Sequence, residues 1–198
     1  MFFSRHSNAR LSVWLYTPIL YFLTATALLA HSGAHESIVH FTDELAMSPE
    51  SQALYLQRGI IHSSSGQFSA AAFDFKQASR LGNPILVSCE QGLLAYRQGD
   101  YLQAKKHFDM FLQSFPTHRQ CLILRARMFR ASDDYNRALR DLHQVFALSL
   151  KPNPGLYLAA AKMMQSPQSD STLDSALDLI DKANYQLGVT PQLQYYAI

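Results

Sequence analysis

Five positions recur in phase along this chain, and that period limits its fold more than any other feature. Gly59, Gly66, Phe68, Ala71 and Phe75 return 33 residues later as Gly92, Gly99, Tyr101, Ala104 and Phe108. A further 34 residues on, the same places hold Ala126, Asp133, Tyr135, Ala138 and Leu142. A fourth copy carries Ala160, Ala176 and Ile180, with extra residues in the Ser166–Ser171 turn. A unit of this length cannot bury its apolar face alone, so neighbouring units must stack to form a continuous core.

Each unit reads as two helices. Ser48 is placed to cap a helix opening at Pro49 and running to the Ser63-Ser64-Ser65-Gly66 break. A second helix follows from about Ser69 to Leu81, ended by Gly82 and Pro84. Its residues Phe68, Ala71, Ala72, Phe75, Ala78 and Leu81 have the three-and-four rhythm of one buried face. In the fourth unit Ser171-Thr172-Leu173-Asp174 forms a capping-box pattern. Glu36 to Met47 reads as a further packed helix ahead of the repeats.

The small residues explain why the units pair. Glycine inside a helix costs about 1 kcal/mol relative to alanine. Gly59 and Gly92 therefore mark places where a partner helix comes too close for a side chain, and Ala126 and Ala160 stand at the same place later. Ala71, Ala104, Ala138 and Ala176 mark the facing contact on the second helices, with Phe68, Tyr101 and Tyr135 filling the space beside each turn. The expected fold is all-α, an array of stacked antiparallel helix pairs, about four units with an N-terminal helix.

Ahead of that array, Leu11 to Ala30 contains no charged residue and follows Arg5 and Arg10. This is the layout of a secretory signal peptide, with cleavage after Ala27, Ala30 or Ala34. The alternative is an uncleaved anchor, since about 20 apolar residues span a bilayer as a helix. Either delivers the rest of the chain outside the cytoplasm, and the anchor would be its only tie to a membrane. The division is then 1–30 export segment or anchor, 31–51 histidine-containing segment and first helix, and 52–198 repeats. The repeats divide at about 52–85, 86–118, 119–152 and 153–190, with a partial unit at 191–198. That last stretch folds back as a cap, or opens a longer array, or lies under a partner.

These residues resemble tetratricopeptide repeats, whose pattern runs aromatic-x2-Leu-Gly-x2-Tyr, Gly-x-Tyr/Phe-x2-Ala-x3-Phe-x2-Ala, then Pro. Tyr55, Gly59, Gly66, Phe68, Ala71, Phe75, Ala78 and Pro84 carry it in the first unit. Gly92, Gly99, Tyr101, Ala104, Phe108 and Pro116 carry it in the second; Ala126, Tyr135, Ala138, Leu142 and Pro152 in the third. Six departures fall in the first helices, where Arg58, Gln91 and Arg125 replace the family leucine, and His62, Ala95 and Phe129 its tyrosine. The order of export segment, His-x3-His-Glu and repeats is similar to exported bacterial members of poorly defined function.

The resemblance implies a right-handed superhelical array of these pairs, with a concave groove lined by the first helices. Its positions fall on Leu56, Ile60 and Ser63, then Leu93, Tyr96 and Arg97, then Ile123, Arg127 and Arg130, and finally Tyr157 with Met164. Apolar groups mixed with arginines suit an extended or helical peptide carrying an acidic group. The expected function is a non-catalytic exported scaffold for a polypeptide partner. The alternatives are a metal-binding or metal-delivery factor, and an accessory subunit of an exported enzyme complex.

Charge and chemistry narrow the choice. A net charge of +2 on 198 residues does not predict nucleic-acid binding, and 48% hydrophobic residues exclude a wholly disordered chain. His31 and His35 lie four apart, so one helical face presents both, and a mature terminus at His31 would add its amine; copper or zinc suits such nitrogen ligands. A loosely ordered polar start is the plainer reading, with no cofactor. No Gly-rich phosphate loop, HExxH, GxSxG or CxxC occurs, so no enzymatic activity is expected. Cys89 and Cys121 sit about two residues out of register on neighbouring first helices and read as two buried thiols rather than a bridge.

Overall fold

The computed structural model describes residues 33–188 and Leu193. The export segment and His31 lie outside them. The described regular structure is entirely helical: α1 (33–47), α2 (Gln52–Ser64), α3 (Phe68–Leu81), α4 (Ile85–Arg97), α5 (Tyr101–Ser114), α6 (Arg119–Ala131), α7 (Tyr135–Ala147), α8 (Pro154–Met164) and α9 (Leu173–Leu187). None of these helices is long and apolar enough to cross a membrane. The chain forms two compact units, Met1–Asp74 and Phe75–Ile198, with the boundary inside α3.

In the first unit the cap of α2 is Ser51 rather than Ser48: the Leu54 N–H donates to Ser51 Oγ at 3.4 Å. The reason is that α1 runs to residue 47, as its sequence pattern indicates, and Ser48 is taken up in closing it. The Ser48 N–H still donates to Glu44 O at 2.9 Å, and the Ser51 N–H donates back to Ser48 O. Ser48 therefore closes one helix, and the next starts three residues later.

The turn inside each pair is the same device three times. Gly66, Gly99 and Asp133 have φ of 76°, 80° and 57°. Each donates its N–H three residues back, to Ser63, Tyr96 and Arg130, while the following residue donates five back, to His62, Ala95 and Phe129. This is the Schellman ending, which needs a left-handed residue and favours glycine there. Asp100, Asp134 and Thr172 then cap the next helix by accepting from Gln103, Arg137 and Ser175 N–H groups. In the last case the cap is Thr172 with Ser175, one residue beyond the expected Ser171 to Asp174 box.

The second unit pairs α4 with α5, α6 with α7 and α8 with α9. A Cβ at Gly92 would lie 2.7 Å from Phe108 Cδ1 and 2.8 Å from Cε1, so only glycine fits against that ring. Ala104, Ala138 and Ala176 are fully buried, and Ala126 nearly so. The small residues face packed neighbours, as the repeat demands. Leu193 is fully buried in this same core.

Two expectations fail in this unit. Cys89 and Cys121 are not separate thiols: they form a disulfide, with Cα atoms 6.0 Å apart. An offset of two residues is only about 3 Å of helix rise, and successive repeats are rotated slightly, so equal sequence positions are not the nearest ones. Closing a chain separation of 32 residues stabilises the fold by roughly 3–4 kcal/mol in the chain-entropy picture.

The second failure is the register of the fourth repeat. Helix α8 opens at Pro154, 35 residues after α6 opens at Arg119, whereas an offset of 34 leads to Ala160. The extra residue lies in the 148–153 connection. Tyr157 consequently takes the place of Leu122, a core residue, instead of that of Ile123.

Candidate functional site

The sequence-selected groove residues separate into those the structure brings together and those it does not. In the first unit Leu56 and Ile60 are half-buried on α2. In the second unit Leu93 and Tyr96 are half-buried against the core on α4, and Arg97 is exposed in its last turn. Ile123, Arg127 and Arg130 share one cavity of about 320 Å3 between α6 and α8. Arg127 and Arg130 are exposed and three residues apart, hence on one face of α6.

Tyr157 is the correction. It is fully buried, stacked on Phe146 with ring centroids 4.1 Å apart, and its hydroxyl donates to Gln186 Oε1 at 2.6 Å. Burial raises its phenol pKa. It fastens α8 to its neighbours and has no face toward a ligand. Met164 and Ser63 are likewise buried.

The wall facing α6 comes instead from Leu156, Ala159 and Met163 of α8. A second cavity of about 470 Å3 shares Arg130, Ala159 and Met163 and adds Tyr135, Lys162 and Ser166. The two form one trough with an apolar floor and three cations, Arg127, Arg130 and Lys162, and among the described residues no carboxylate lines either part. Sequence reasoning missed the α8 wall because it counted repeats from the alanines. The available signal was the cap: Asn153 accepts from the Gly155 N–H with Pro154 opening the helix, so counting from Asn153-Pro154 gives the right phase.

The three replacements of the family leucine have a structural meaning. Arg58 forms a two-bond pair with Asp74, Nε and Nη2 donating at 2.9 and 2.7 Å, and Nη1 donates to Thr42 Oγ1 at 3.1 Å. Arg125 does the same with Asp141 at 2.9 and 2.7 Å, and its Nη1 donates to Asp109 at 2.7 Å. Asp74 and Asp141 are buried. The hydrogen bond to Asp74 raises the Arg58 pKa further; for Arg125, burial pulls down while Asp141 and Asp109 prevail and raise it. In the second repeat these places hold Gln91 and His107. Gln91 donates to Ser79 at 3.3 Å, and His107 Nδ1 is buried with no hydrogen-bond partner among the described residues.

His35 is exposed at the start of α1. Among the described residues no three His, Cys, Asp or Glu side chains come together in a form that could hold a metal ion.

No protein-family profile matches the chain, and no characterised protein matches it by sequence. Solved structures do. MamA (residue 41 to the end) from Desulfovibrio magneticus RS-1 aligns over 84% of this chain and 93% of its own, with 13% identity and a TM-score of 0.65. A tetratricopeptide repeat protein from Parabacteroides merdae ATCC 43184 aligns over 87% of this chain and 66% of its own, with 18% identity and a TM-score of 0.60. YrrB, described as a tetratricopeptide protein with an unusual peptide-binding site, covers 87% of each chain with 12% identity and a TM-score of 0.61. The fold is that of tetratricopeptide-repeat proteins.

Proposed function

We propose that this chain is an exported, non-catalytic adaptor that holds a polypeptide segment in the trough between α6 and α8. The observation that carries the reading is the trough's chemistry. Arg127, Arg130 and Lys162 stand over Ile123, Leu156 and Met163 with no carboxylate among them. A surface of this kind attracts an acidic side chain and offers an apolar residue somewhere dry to sit, and guanidinium groups fork onto carboxylates. The partner it fits is an extended or helical segment with one or two acidic groups beside an apolar anchor. The peptide-binding site described for YrrB, which shares the fold, supports this assignment.

Export is supported by two independent features. The uncharged Leu11 to Ala30 stretch behind Arg5 and Arg10 has the layout of a secretion signal. The Cys89–Cys121 disulfide belongs to an oxidising compartment such as the periplasm. Replacing Arg127 and Arg130 by glutamate tests the groove. Crosslinked capture from the exported fraction should lose its partner, with affinity down by more than about tenfold, while helicity by circular dichroism is unchanged. Undiminished capture of the same partner overturns the proposal.

A further inference from the structure

The buried ion pair of the third repeat is surrounded by more positive charge than it uses. We propose that the pocket beside it, where Lys105, Arg137 and Arg140 converge, binds a phosphate monoester group. This site is separate from the trough and shares no residue with it.

The cavity measures about 280 Å3 and lies among α5, α6 and α7. Both Asp141 oxygens accept from Arg125, and the Asp109 oxygens accept from Arg125 and Lys105. The carboxylates in the pocket are thus already engaged. The cations beside them are engaged only in part. Arg140 has no partner among the described residues. Arg137 Nη1 forms an ion pair with Asp134 Oδ2 at 3.0 Å, and its guanidinium lies 5.6 Å over the Phe129 ring, leaving other donors. Lys105 uses one of three donors on Asp109.

Geometry then selects the ligand class. Arg137 and Arg140 come from one face of α7, and Lys105 comes from α5. A planar carboxylate is satisfied by one guanidinium fork. A tetrahedral dianion presents three oxygens and can engage all three side chains together. The first repeat shows that the pair itself does not require them. Around Arg58 and Asp74 the same three places hold Ile38, Ala70 and Phe73, and the pair forms with the same distances.

The test is a titration of the full chain with pyrophosphate at constant ionic strength, read from arginine Nε–H resonances. Saturable shifts are expected for Arg125, Arg137 and Arg140, with Arg58 unmoved as an internal control. Lys105→Ala with Arg140→Ala should weaken binding by about tenfold or more, whereas Arg127→Glu with Arg130→Glu should leave it intact. Equal shifts at Arg58, equal affinity of the Lys105/Arg140 variant, or equal affinity for citrate overturns the proposal. Glycerol phosphate and phosphatidic-acid vesicles then name the source. Binding of the soluble ester indicates a free metabolite, binding of vesicles alone indicates a lipid headgroup, and binding of none of these probes overturns it.

Discussion

The first and third repeats contain the same buried arginine–aspartate pair, 67 residues apart, set in opposite surroundings. In the first, Arg58 meets one carboxylate and a threonine, His62 Nε2 lies 3.7 Å from Asp74, and the places matching Lys105, Arg137 and Arg140 hold Ile38, Ala70 and an exposed Phe73. In the third, Arg125 is shared by two carboxylates, and the rim is Lys105, Arg137 and Arg140. The common part is structural: a charge introduced at a helix-packing position must bring its counter-charge with it. The differing part is free to vary without loss of the fold, and it carries the chemistry. The middle repeat solves the same packing problem with neutral groups, Gln91 and His107.

The sharpest way to break this comparison is to remove the carboxylate. Asp74→Ala leaves Arg58 with no acidic partner and should cost about 3–5 kcal/mol. Asp141→Ala leaves Arg125 with Asp109 and should cost less, about 1–3 kcal/mol. Urea unfolding of the two variants measures both, and equal losses would mean that Asp109 contributes nothing. A smaller effect is expected where the middle and third repeats differ in volume. Gly92 faces Phe108, while Ala126 stands in the third repeat where Leu142 replaces the phenylalanine. Gly92→Ala should destabilise by about 1–3 kcal/mol through overpacking, and adding Phe108→Leu should recover most of it. If the double variant is no better than the single, the ring is not what excludes the methyl group.

The smallest effect concerns acid. Burial, with Lys106 nearby, lowers the His107 pKa from its ordinary 6.5, and burial with Lys182 lowers that of His143. Both histidines are favoured neutral in the folded state. Their contribution is complete above pH 6.5 and is lost as pH falls through the folded values. His107→Gln should therefore flatten the decline of Tm on acidification, measured by thermal melts across that range. An unchanged slope would show that His107 does not titrate on unfolding.

Much of this architecture was legible because its causes are local. Gly66, Gly99 and Asp133 announce a left-handed turn, since few side chains tolerate that backbone. Gly92 and the buried alanines announce close helix contact, since volume is a property of the residue itself. The site was legible only in part. Ile123, Arg127 and Arg130 were found because their helix keeps the period, whereas Tyr157 was misplaced by one residue added in a connection. One residue turns a helix by about 100°, enough to move a side chain from the trough into the core.

What the amino-acid order decides on its own is the succession of helices, their turns and the places where only a small residue fits. Each of these follows from backbone strain or side-chain volume within a few positions. Which residues meet across helices was decided by tertiary structure. The Cys89–Cys121 bond, the sharing of Arg125 between Asp109 and Asp141, and the α8 wall of the trough all depend on how neighbouring helices are offset. An offset of a few ångströms leaves the periodic pattern unchanged but determines which atoms come within bonding distance.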